Sequence, residues 1–453
     1  MAPDNASVSS RRAFVAAAMT AASYRRILGA NERVGVGFVG YGLIGAQHVF
    51  DFRNQPDADL VALAEVYEPR LEEGIAACGG HARPYRDFRR LIEDKDVQAV
   101  VVCTPDHWHA LITMMACAAG RDVYVEKPMT RFIREGRWMT DVARRHGRIV
   151  QVGTQQRSGP HYQKARELLQ AGHIGTIIAA RAQYYRNVMP GFGNPPDGVA
   201  PANFDYQMWL GPAPERAYNP MRGLYHFRWF WDYSGGQMTN LGAHEIDIVQ
   251  WVLDAKGPAA VSSMGGRFAL TGAGETPDTQ DAVLEYPGVN ATWSEREASG
   301  GHDVPRGLQF CGTKGTLEIN RSGFEIFPDT KADPASRIPV FHGHPAGGPK
   351  AVAEPVEPWT TPLKMPGNSA EQFALHARRF LDCVKSRERS IADVEDGHRT
   401  AVACHLANIS MRLGRRVQWD AERETIVGDR EAEAMLERPY RAPWDRELRS
   451  LLA

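Results

Sequence analysis

The first third of the chain alternates short apolar runs with longer, helix-like segments. The apolar runs are RVGVGFVG, DLVALAE, VQAVVVC and DVYVE, and their β-branched residues are typical of strands that are buried on both faces. Helix-like segments such as HALITMMACAAG separate them. This order predicts a doubly wound parallel sheet over residues 31–150.

Beyond residue 150 the pattern changes. Strand-like segments such as TQDAVLEYP and NATWSEREA are bounded by Gly, Pro or Asn turns. Two late segments, SAEQFALHARRFLDCVKS and GHRTAVACHLANISMRLG, have helical periodicity. We therefore predict a second domain over residues 151–420 and a polar, charged C-terminal tail over residues 421–453.

The composition excludes several classes of protein. A length of 453 residues favours two domains, and a net charge of -1 gives no electrostatic reason to expect nucleic acid as a partner. No apolar run reaches the roughly 18 residues of a membrane-spanning helix, so we expect no membrane insertion. The six cysteines are scattered without zinc-ligand spacing, and we expect no metal site.

The N-terminus resembles a twin-arginine export signal over residues 1–30. Ser10, Arg11, Arg12 and Phe14 match the core of such a signal, and a stretch of small apolar residues follows. We therefore expect export, with the periplasm as the destination. If the segment is instead an amphipathic leader without a signal function, the protein stays in the cytoplasm.

A glycine motif follows the first apolar run. Gly40, Gly42 and Gly45 form GxGxxG between a predicted strand and a predicted helix, which is the context of a dinucleotide-binding turn. The glycines allow the tight turn, the approach of the backbone to a pyrophosphate and close helix packing. Leu43 and Ile44 open the helix at whose N-terminus the phosphates would sit.

An acidic residue stands where the ribose of such a cofactor would lie. Glu65 ends the second apolar run, about 20 residues after the motif, and can accept hydrogen bonds from both adenosine ribose hydroxyls. A carboxylate there repels a 2′-phosphate, so NAD is favoured over NADP. The alternative is a solvated glutamate at a strand end.

Two further segments follow predicted parallel strands, where ligands of doubly wound sheets bind. They are TPDHWH, residues 104–109, and EKP, residues 126–128. The candidate cofactor contacts within them are Thr104, Pro105, His107, His109, Glu126 and Lys127.

The motifs VGYGLIG, CTPDHWH, VEKPM and GAHEID, in this order, resemble the glucose–fructose oxidoreductase / inositol dehydrogenase / rhizopine catabolism family, Gfo/Idh/MocA. WLGPAP, RWFWDYSGGQMTN and ADVEDGHR are similar to its exported, twin-arginine-bearing branch. The resemblance implies an N-terminal Rossmann domain and a C-terminal α/β domain with an open, mainly antiparallel sheet. It also implies a homodimer or homotetramer.

His244 begins a helix that is otherwise mostly apolar. A lone histidine there is ordinarily a core residue that is hydrogen-bonded to the backbone, but the resemblance implies that His244 is the acid/base and Lys127 stabilises an alkoxide. The family has an aspartate at the position of Asn240, so its paired Asp–His mechanism stays open here. Asp247 could orient His244 instead, and Asn240 could contact substrate or cap the helix.

Several residues are candidates for contact with a substrate. GTQQR follows a predicted strand that lines the cleft in the family, and the run YHFRWFWDY offers aromatic faces and charged groups for a sugar. The candidates are Lys127, Gln155, Arg157, Arg228, Trp231, Asn240 and His244.

These observations predict an NAD-dependent oxidoreductase acting on a small carbohydrate or polyol hydroxyl. The alternative is a redox-neutral NAD-dependent glycoside hydrolase, which oxidises, eliminates, adds water and reduces with the same base and lysine. A non-catalytic NAD-binding protein is a third possibility, against which the presence of both Lys127 and His244 argues.

Overall fold

The computed structural model describes residues 33–302, 307–331, 340–341, 344–345 and 357–453. The predicted export signal, residues 1–30, lies outside these ranges. No helix in the described ranges is long and apolar enough to cross a membrane.

The N-terminal domain is built on a six-stranded parallel sheet with the order β3-β2-β1-β4-β5-β6. Its strands are β1 (Val34–Val39), β2 (Ala58–Ala64), β3 (Arg83–Tyr85), β4 (Ala99–Val102), β5 (Asp122–Val125) and β6 (Val150–Val152). The predicted doubly wound parallel sheet is therefore confirmed. Strands β1, β4 and β5 are buried along their whole length because helices cover both faces.

The second sheet has ten strands and is open. Only β7 and β10 pair in parallel, and the other neighbours are antiparallel, which confirms the second predicted architecture. In spatial order the strands are β16 (Leu363–Pro366), β13 (Gly323–Pro328), β12 (Gly315–Asn320), β11 (Gly307–Gly312), β7 (Ile177–Tyr185), β10 (Val289–Arg296), β9 (Thr279–Tyr286), β8 (Ala260–Gly266), β17 (Val417–Asp420) and β18 (Thr425–Ile426). A short hairpin joins β14 (Val340–Phe341) to β15 (His344–Pro345).

Thirteen α-helices lie in the described ranges, together with two short 3₁₀ helices, Gln155–Ser158 and His226–Trp229. The α-helices are α1 (Leu43–Arg53), α2 (Glu68–Ala77), α3 (Phe88–Glu93), α4 (Asp106–Ala118), α5 (Ile133–Arg145), α6 (Pro160–Gln170), α7 (Tyr206–Leu210), α8 (Gly236–Asn240), α9 (Gly242–Leu253), α10 (Ser369–Ser386), α11 (Val394–Leu413), α12 (Arg430–Glu433) and α13 (Trp444–Leu452).

The second sheet buries one face and leaves the other uncovered by any described helix. Strands β9 and β10 alternate between buried and less buried residues, as expected for a sheet that is packed on one side. Ala282, Leu284, Ala291 and Trp293 point into the core that the sheet shares with α6, α9 and α11.

The late helix α10 returns to the N-terminal domain. Phe380 of α10 packs edge-on against Phe52 of α1, with ring centroids 6.0 Å apart. Asp57, before β2, forms ion pairs with Arg378 and Lys385 of α10. The N-terminal domain is therefore completed by residues that follow most strands of the second sheet in the chain.

The segment after residue 420 is folded, which corrects our prediction of a polar tail. It contains β18, α12 and α13, and Trp444 of α13 packs against Trp108 at a centroid distance of 4.8 Å. The Tyr440 hydroxyl donates to buried Glu135 at 2.8 Å. The segment is polar on average, and the average composition does not reveal the few large apolar side chains that pack it against the fold.

Candidate active site

A cavity of about 300 Å³ opens at the carboxyl ends of β1, β2, β4 and β5, and the second domain closes its far side. Its position is that of ligand sites in doubly wound sheets. Most of the residues selected from the sequence line it, namely Gly40, Gly42, Leu43, Ile44, Glu65, Thr104, Pro105, His109, Glu126, Lys127, Gln155, Arg228, Asn240 and His244.

The glycine loop needs its glycines. Gly40 has φ 93°, and a Cβ there would lie 2.8 Å from the carbonyl oxygen of Cys103. A Cβ on Gly45 would lie 2.4 Å from the carbonyl oxygen of Gly40, so Gly45 allows α1 to pack close to β1 and does not itself line the cavity. At Gly42 a Cβ would meet only Nη1 of Arg70, at 3.7 Å, so this backbone faces open space.

The loop and the strand ends fit a dinucleotide. Gly42 caps α1 without a side-chain hydrogen bond, so the first N–H groups of the helix remain available to an anion. The Thr104 hydroxyl lines the cavity, is buried and has no hydrogen-bond partner in the described part of the chain. Unsatisfied donors at a helix start and beside it are what a bound pyrophosphate and its ribose would satisfy.

Glu65 ties β2 to the glycine loop. Its carboxylate accepts from the backbone N–H groups of Tyr41 at 2.8 Å, Val66 at 2.8 Å and Tyr67 at 3.0 Å. Since a carboxylate offers about four acceptor positions, roughly one remains for a ribose hydroxyl rather than the two that we expected.

His109 links the two loops that follow β4 and β5. Its ring nitrogens lie 2.8 Å from the carbonyl oxygen of Thr104 and 2.7 Å from that of Pro128. The residue therefore fixes the spacing between the two strand ends in addition to lining the cavity.

Glu126 positions the lysine that follows it. One carboxylate oxygen lies 2.6 Å from Nε2 of His48 on α1, and the other accepts from the backbone N–H of Lys127 at 3.0 Å. Burial works to raise the pKa of Glu126, but the hydrogen bond from His48 and the nearby cations hold this pKa below its usual range. Glu126 is thus engaged within the protein and is oriented away from a direct role in holding a cofactor.

Lys127 crosses from the first domain to the second. Its Nζ donates to the backbone carbonyl of Asn240 at 2.9 Å and to Oδ1 of Asn240 at 3.0 Å. Burial lowers the pKa of Lys127 to about 8, and the neighbouring charges of Glu126, Arg228, Asp106 and Arg321 act on it more weakly.

A chain of side chains sets the orientation of the Asn240 amide. Gln237 Nε2 donates to Glu297 at 2.7 Å, and Asn240 Nδ2 donates to Gln237 Oε1 at 2.9 Å. Arg186 pairs with Glu297 through two hydrogen bonds, of 2.7 and 2.6 Å. Because a carboxylate only accepts, Gln237 must turn its NH₂ to Glu297, and Asn240 must then turn its oxygen to Lys127.

Asn240 is therefore neither a helix cap nor a partner of His244. Leu241 separates α8 from α9, and Leu241 rather than Asn240 occupies the N-cap position of α9. Asn240 lies at the end of α8 with both of its oxygens directed at Lys127.

His244 lies in the first turn of α9 and lines the cavity. Its Nδ1 is buried, and no described residue donates to or accepts from it. Burial, with smaller contributions from the charges of Lys127 and Arg321, lowers the pKa of His244 well below its usual range. The ring is thus neutral, and Nε2 is the nitrogen that can serve a ligand.

Arg157, a predicted substrate contact, is placed away from the cavity. It forms a buried bidentate ion pair with Asp247, with both distances 2.8 Å, and donates to the carbonyl of Ile391. Asp247 also accepts from Thr400, so it does not orient His244. Both expectations are corrected, because two charges buried on neighbouring helices satisfy each other.

His107 and Trp231 also lie outside the cavity lining. Nε2 of His107 hydrogen-bonds to the carbonyl of Trp209 at 3.0 Å, and its ring packs against Tyr233. The Trp231 ring lies against Arg412 on the far side of the aromatic run. A motif gives the spacing of such residues but not the direction of each side chain.

Sequence reasoning missed Arg321, which enters the cavity from the turn between β12 and β13. It also missed Arg70, Arg86 and Phe373 in the lining. These residues belong to no short motif, and only the folding of the second sheet and α10 against the first domain brings Arg321 and Phe373 to the site.

Two family models match the chain. The oxidoreductase family, NAD-binding Rossmann fold, matches residues 34–154, and the oxidoreductase family, C-terminal alpha/beta domain, matches residues 176–264 and 366–446. The chain is thus an oxidoreductase with an NAD-binding Rossmann domain. It belongs to the Gfo/Idh/MocA family.

Its relatives have low identity but long coverage. The chain is 23% identical over 403 residues to a scyllo-inositol 2-dehydrogenase (NAD(+)) of Bacillus subtilis, covering 85% of this chain and 96% of the relative. It is 28% identical over 350 residues to a levoglucosan dehydrogenase of Pseudarthrobacter phenanthrenivorans, covering 70% and 82%. A solved levoglucosan dehydrogenase in complex with NADH and levoglucosan superposes with a TM-score of 0.61 at 18% identity, covering 85% and 99%.

Replacing Glu65 by Gln tests whether the Glu65 carboxylate holds the glycine loop in the conformation that binds the cofactor. The amide would turn an NH₂ group towards backbone N–H donors, and we expect about a tenfold or greater loss of NADH affinity. The measurement is a fluorescence titration with NADH. Glu72→Gln, on the exposed side of α2, is the control, and equal affinities for the two variants would contradict the assignment.

Proposed function

We propose that this protein oxidises a hydroxyl carbon of a sugar or polyol with NAD. The observation that carries the proposal is the placement of Lys127 and His244. They come from different domains and line the same cavity as the glycine loop. The activities of the inositol and levoglucosan dehydrogenase relatives support a carbohydrate or polyol as the substrate class.

Gly40, Gly42, Glu65 and Thr104 would hold NAD, which supplies a hydride acceptor when bound. Lys127 donates to the substrate hydroxyl and stabilises the oxygen as it becomes an alkoxide. His244 takes the hydroxyl proton at Nε2, because its neutral ring has an acceptor there. Asn240 holds Lys127 in place without the charge that an aspartate would bring.

We also propose that the protein is exported in the folded state and forms a homodimer or homotetramer. Ser10, Arg11, Arg12 and Phe14 support the export route. The uncovered face of the second sheet supports self-association, since Met264 and Val283 are exposed there.

Turnover of candidate substrates tests the proposed function. Purified protein with NAD should form NADH with at least one of scyllo-inositol, myo-inositol, levoglucosan and common aldoses. His244→Gln should lower kcat by about 100-fold or more, since general base catalysis is worth that much. His146→Gln, at an exposed position after α5, should behave as wild type.

Absence of NADH formation with every candidate, and also with uronates and sugar phosphates, while NADH still binds, would contradict the dehydrogenase proposal. If nitrophenyl glycosides are cleaved without net NADH formation, the redox-neutral hydrolase replaces it.

The pH profile tests the separate roles of Lys127 and His244. Because the pKa of Lys127 is about 8, its ammonium is lost above that pH, and kcat/KM at saturating NAD should fall with an apparent pKa near 8. Because the pKa of His244 lies well below its usual range, no loss should occur near pH 6.5. A rise in kcat/KM through pH 8 would show that neutral Lys127 is the base.

Export is tested by changing both arginines of the signal. Arg11→Lys with Arg12→Lys should leave the protein in the cytoplasmic fraction while the natural chain reaches the periplasm. Equal distributions of the two chains after cell fractionation would contradict the proposed route.

A further inference from the structure

Two guanidinium groups face the cavity near its reacting end. Arg228 lies within the aromatic run of the second domain, in the 3₁₀ helix His226–Trp229, and Arg321 lies in the turn between β12 and β13. The charges of both reach Lys127, and that of Arg321 also reaches His244. Two positive charges of the second domain therefore act on Lys127, together with the negative charges of Glu126 and Asp106.

Neither arginine has a carboxylate partner within the described ranges. Arg228 donates to the carbonyl of Tyr225 at 2.8 Å and stacks on Phe227, and the side chain of Arg321 forms no hydrogen bond with a described residue. Elsewhere in the second domain, Arg157 is paired with Asp247 and Arg186 is paired with Glu297.

The acids beside the cavity do not neutralise these two arginines. Asp106 accepts from Ser234, Glu126 is held by His48, and Glu65 is held by backbone N–H groups at the far end. Glu245, next to His244, accepts from Gln156 at 3.4 Å. Burial raises the pKa of Glu245 to about 7, while the nearby charge of Arg321 works to lower it. Glu245 forms no ion pair with Arg321 in the described part of the chain.

The cofactor phosphates do not account for this charge. The glycine loop that would hold them has its own arginine, since Nη1 of Arg70 lies 3.7 Å from the Cβ position of Gly42. Arg321 belongs to the opposite wall, which the second domain contributes.

We propose that the substrate is an anionic sugar or polyol whose carboxylate or phosphate group binds Arg228 and Arg321. This inference rests on the proposed function and specifies the substrate class. A guanidinium group binds either anion through paired hydrogen bonds, and here the anion would replace the partner that the fold does not supply. It would also hold the reacting hydroxyl at a fixed distance beside Lys127 and His244.

The test is a set of matched ligands measured by calorimetry on the full chain loaded with NADH. The ligands are D-glucose, D-glucuronate and D-glucose 6-phosphate, together with myo-inositol and myo-inositol 1-phosphate. We expect at least one anionic member to bind about tenfold or more tightly than its neutral partner, as hydrogen bonds to charged groups allow. Preference for the uronate or for the phosphates identifies which anion is recognised.

Two variants test whether Arg228 and Arg321 cause the preference for the anionic ligand. Arg321→Gln and Arg228→Gln should each remove about tenfold of the affinity for the anionic ligand, weaken the neutral ligand by a smaller factor and retain NADH binding. Arg423→Gln, whose side chain is 81% exposed, is the matched control and should retain the preference.

Three results would overturn the inference. Equal or tighter binding of the neutral ligands would reject the anionic substrate and leave the proposed function intact. A preference that persists in both variants would reject the two arginines as its source. NADH binding with no binding of any ligand would reject the inference together with the proposed function.

Discussion

The contact between Lys127 and Asn240 joins the two domains of this oxidoreductase at the wall of the candidate active site. The lysine follows β5 of the Rossmann sheet, the asparagine ends α8 of the second domain, and the ammonium group donates to both of the asparagine's oxygens. A buried ammonium requires such acceptors, since an unsatisfied charge would be strongly destabilising. The position of Lys127 relative to the cofactor loop therefore depends on how the domains pack.

Behind this contact, each partner is held by another. In the Rossmann domain, the Glu126 carboxylate accepts a hydrogen bond from the backbone N–H of Lys127. In the second domain, Gln237 and Glu297 fix the orientation of the Asn240 amide. The asparagine thus supplies geometry where the family's aspartate also supplies charge. Burial lowers the pKa of Lys127, and the charges of Arg228 and Arg321 add to this effect while those of Glu126 and Asp106 oppose it.

Local motifs predicted much of this arrangement. The glycine loop, Glu65 and Lys127 were identified because strand ends in a doubly wound sheet converge on one edge, whereas the family resemblance pointed to His244. The strand pattern predicted the parallel sheet, and the resemblance implied the open antiparallel one. These features depend on short-range spacing and on the carboxyl-end rule, which the sequence reveals directly.

The remaining features depend on long-range packing, which a single sequence does not reveal. The sequence predicted Arg157 as a substrate contact, but its partner is Asp247, 90 residues further along the chain. Arg321 carries no motif, and it reaches the cavity only because the turn after β12 lies over the Rossmann domain. Trp444 made the last segment part of the fold although the average composition there is polar.

Glu297 does not line the cavity, and we infer that it positions Lys127 through Gln237 and Asn240. The test compares kcat and its pH profile in Glu297→Gln and Glu295→Gln.

The two glutamates are both buried, but Glu295 accepts from Trp293 and its pKa is raised well above the usual range by burial, so a neutral glutamine replaces it closely. We expect Glu297→Gln to lower kcat by about tenfold and to move the alkaline limb of the pH profile to lower pH. The reason is that the amides of Gln237 and Asn240 can then reverse and turn an NH₂ group to Lys127. NADH affinity should be retained, and Glu295→Gln should resemble wild type. A wild-type kcat and pH profile in Glu297→Gln would contradict the positioning role of Glu297.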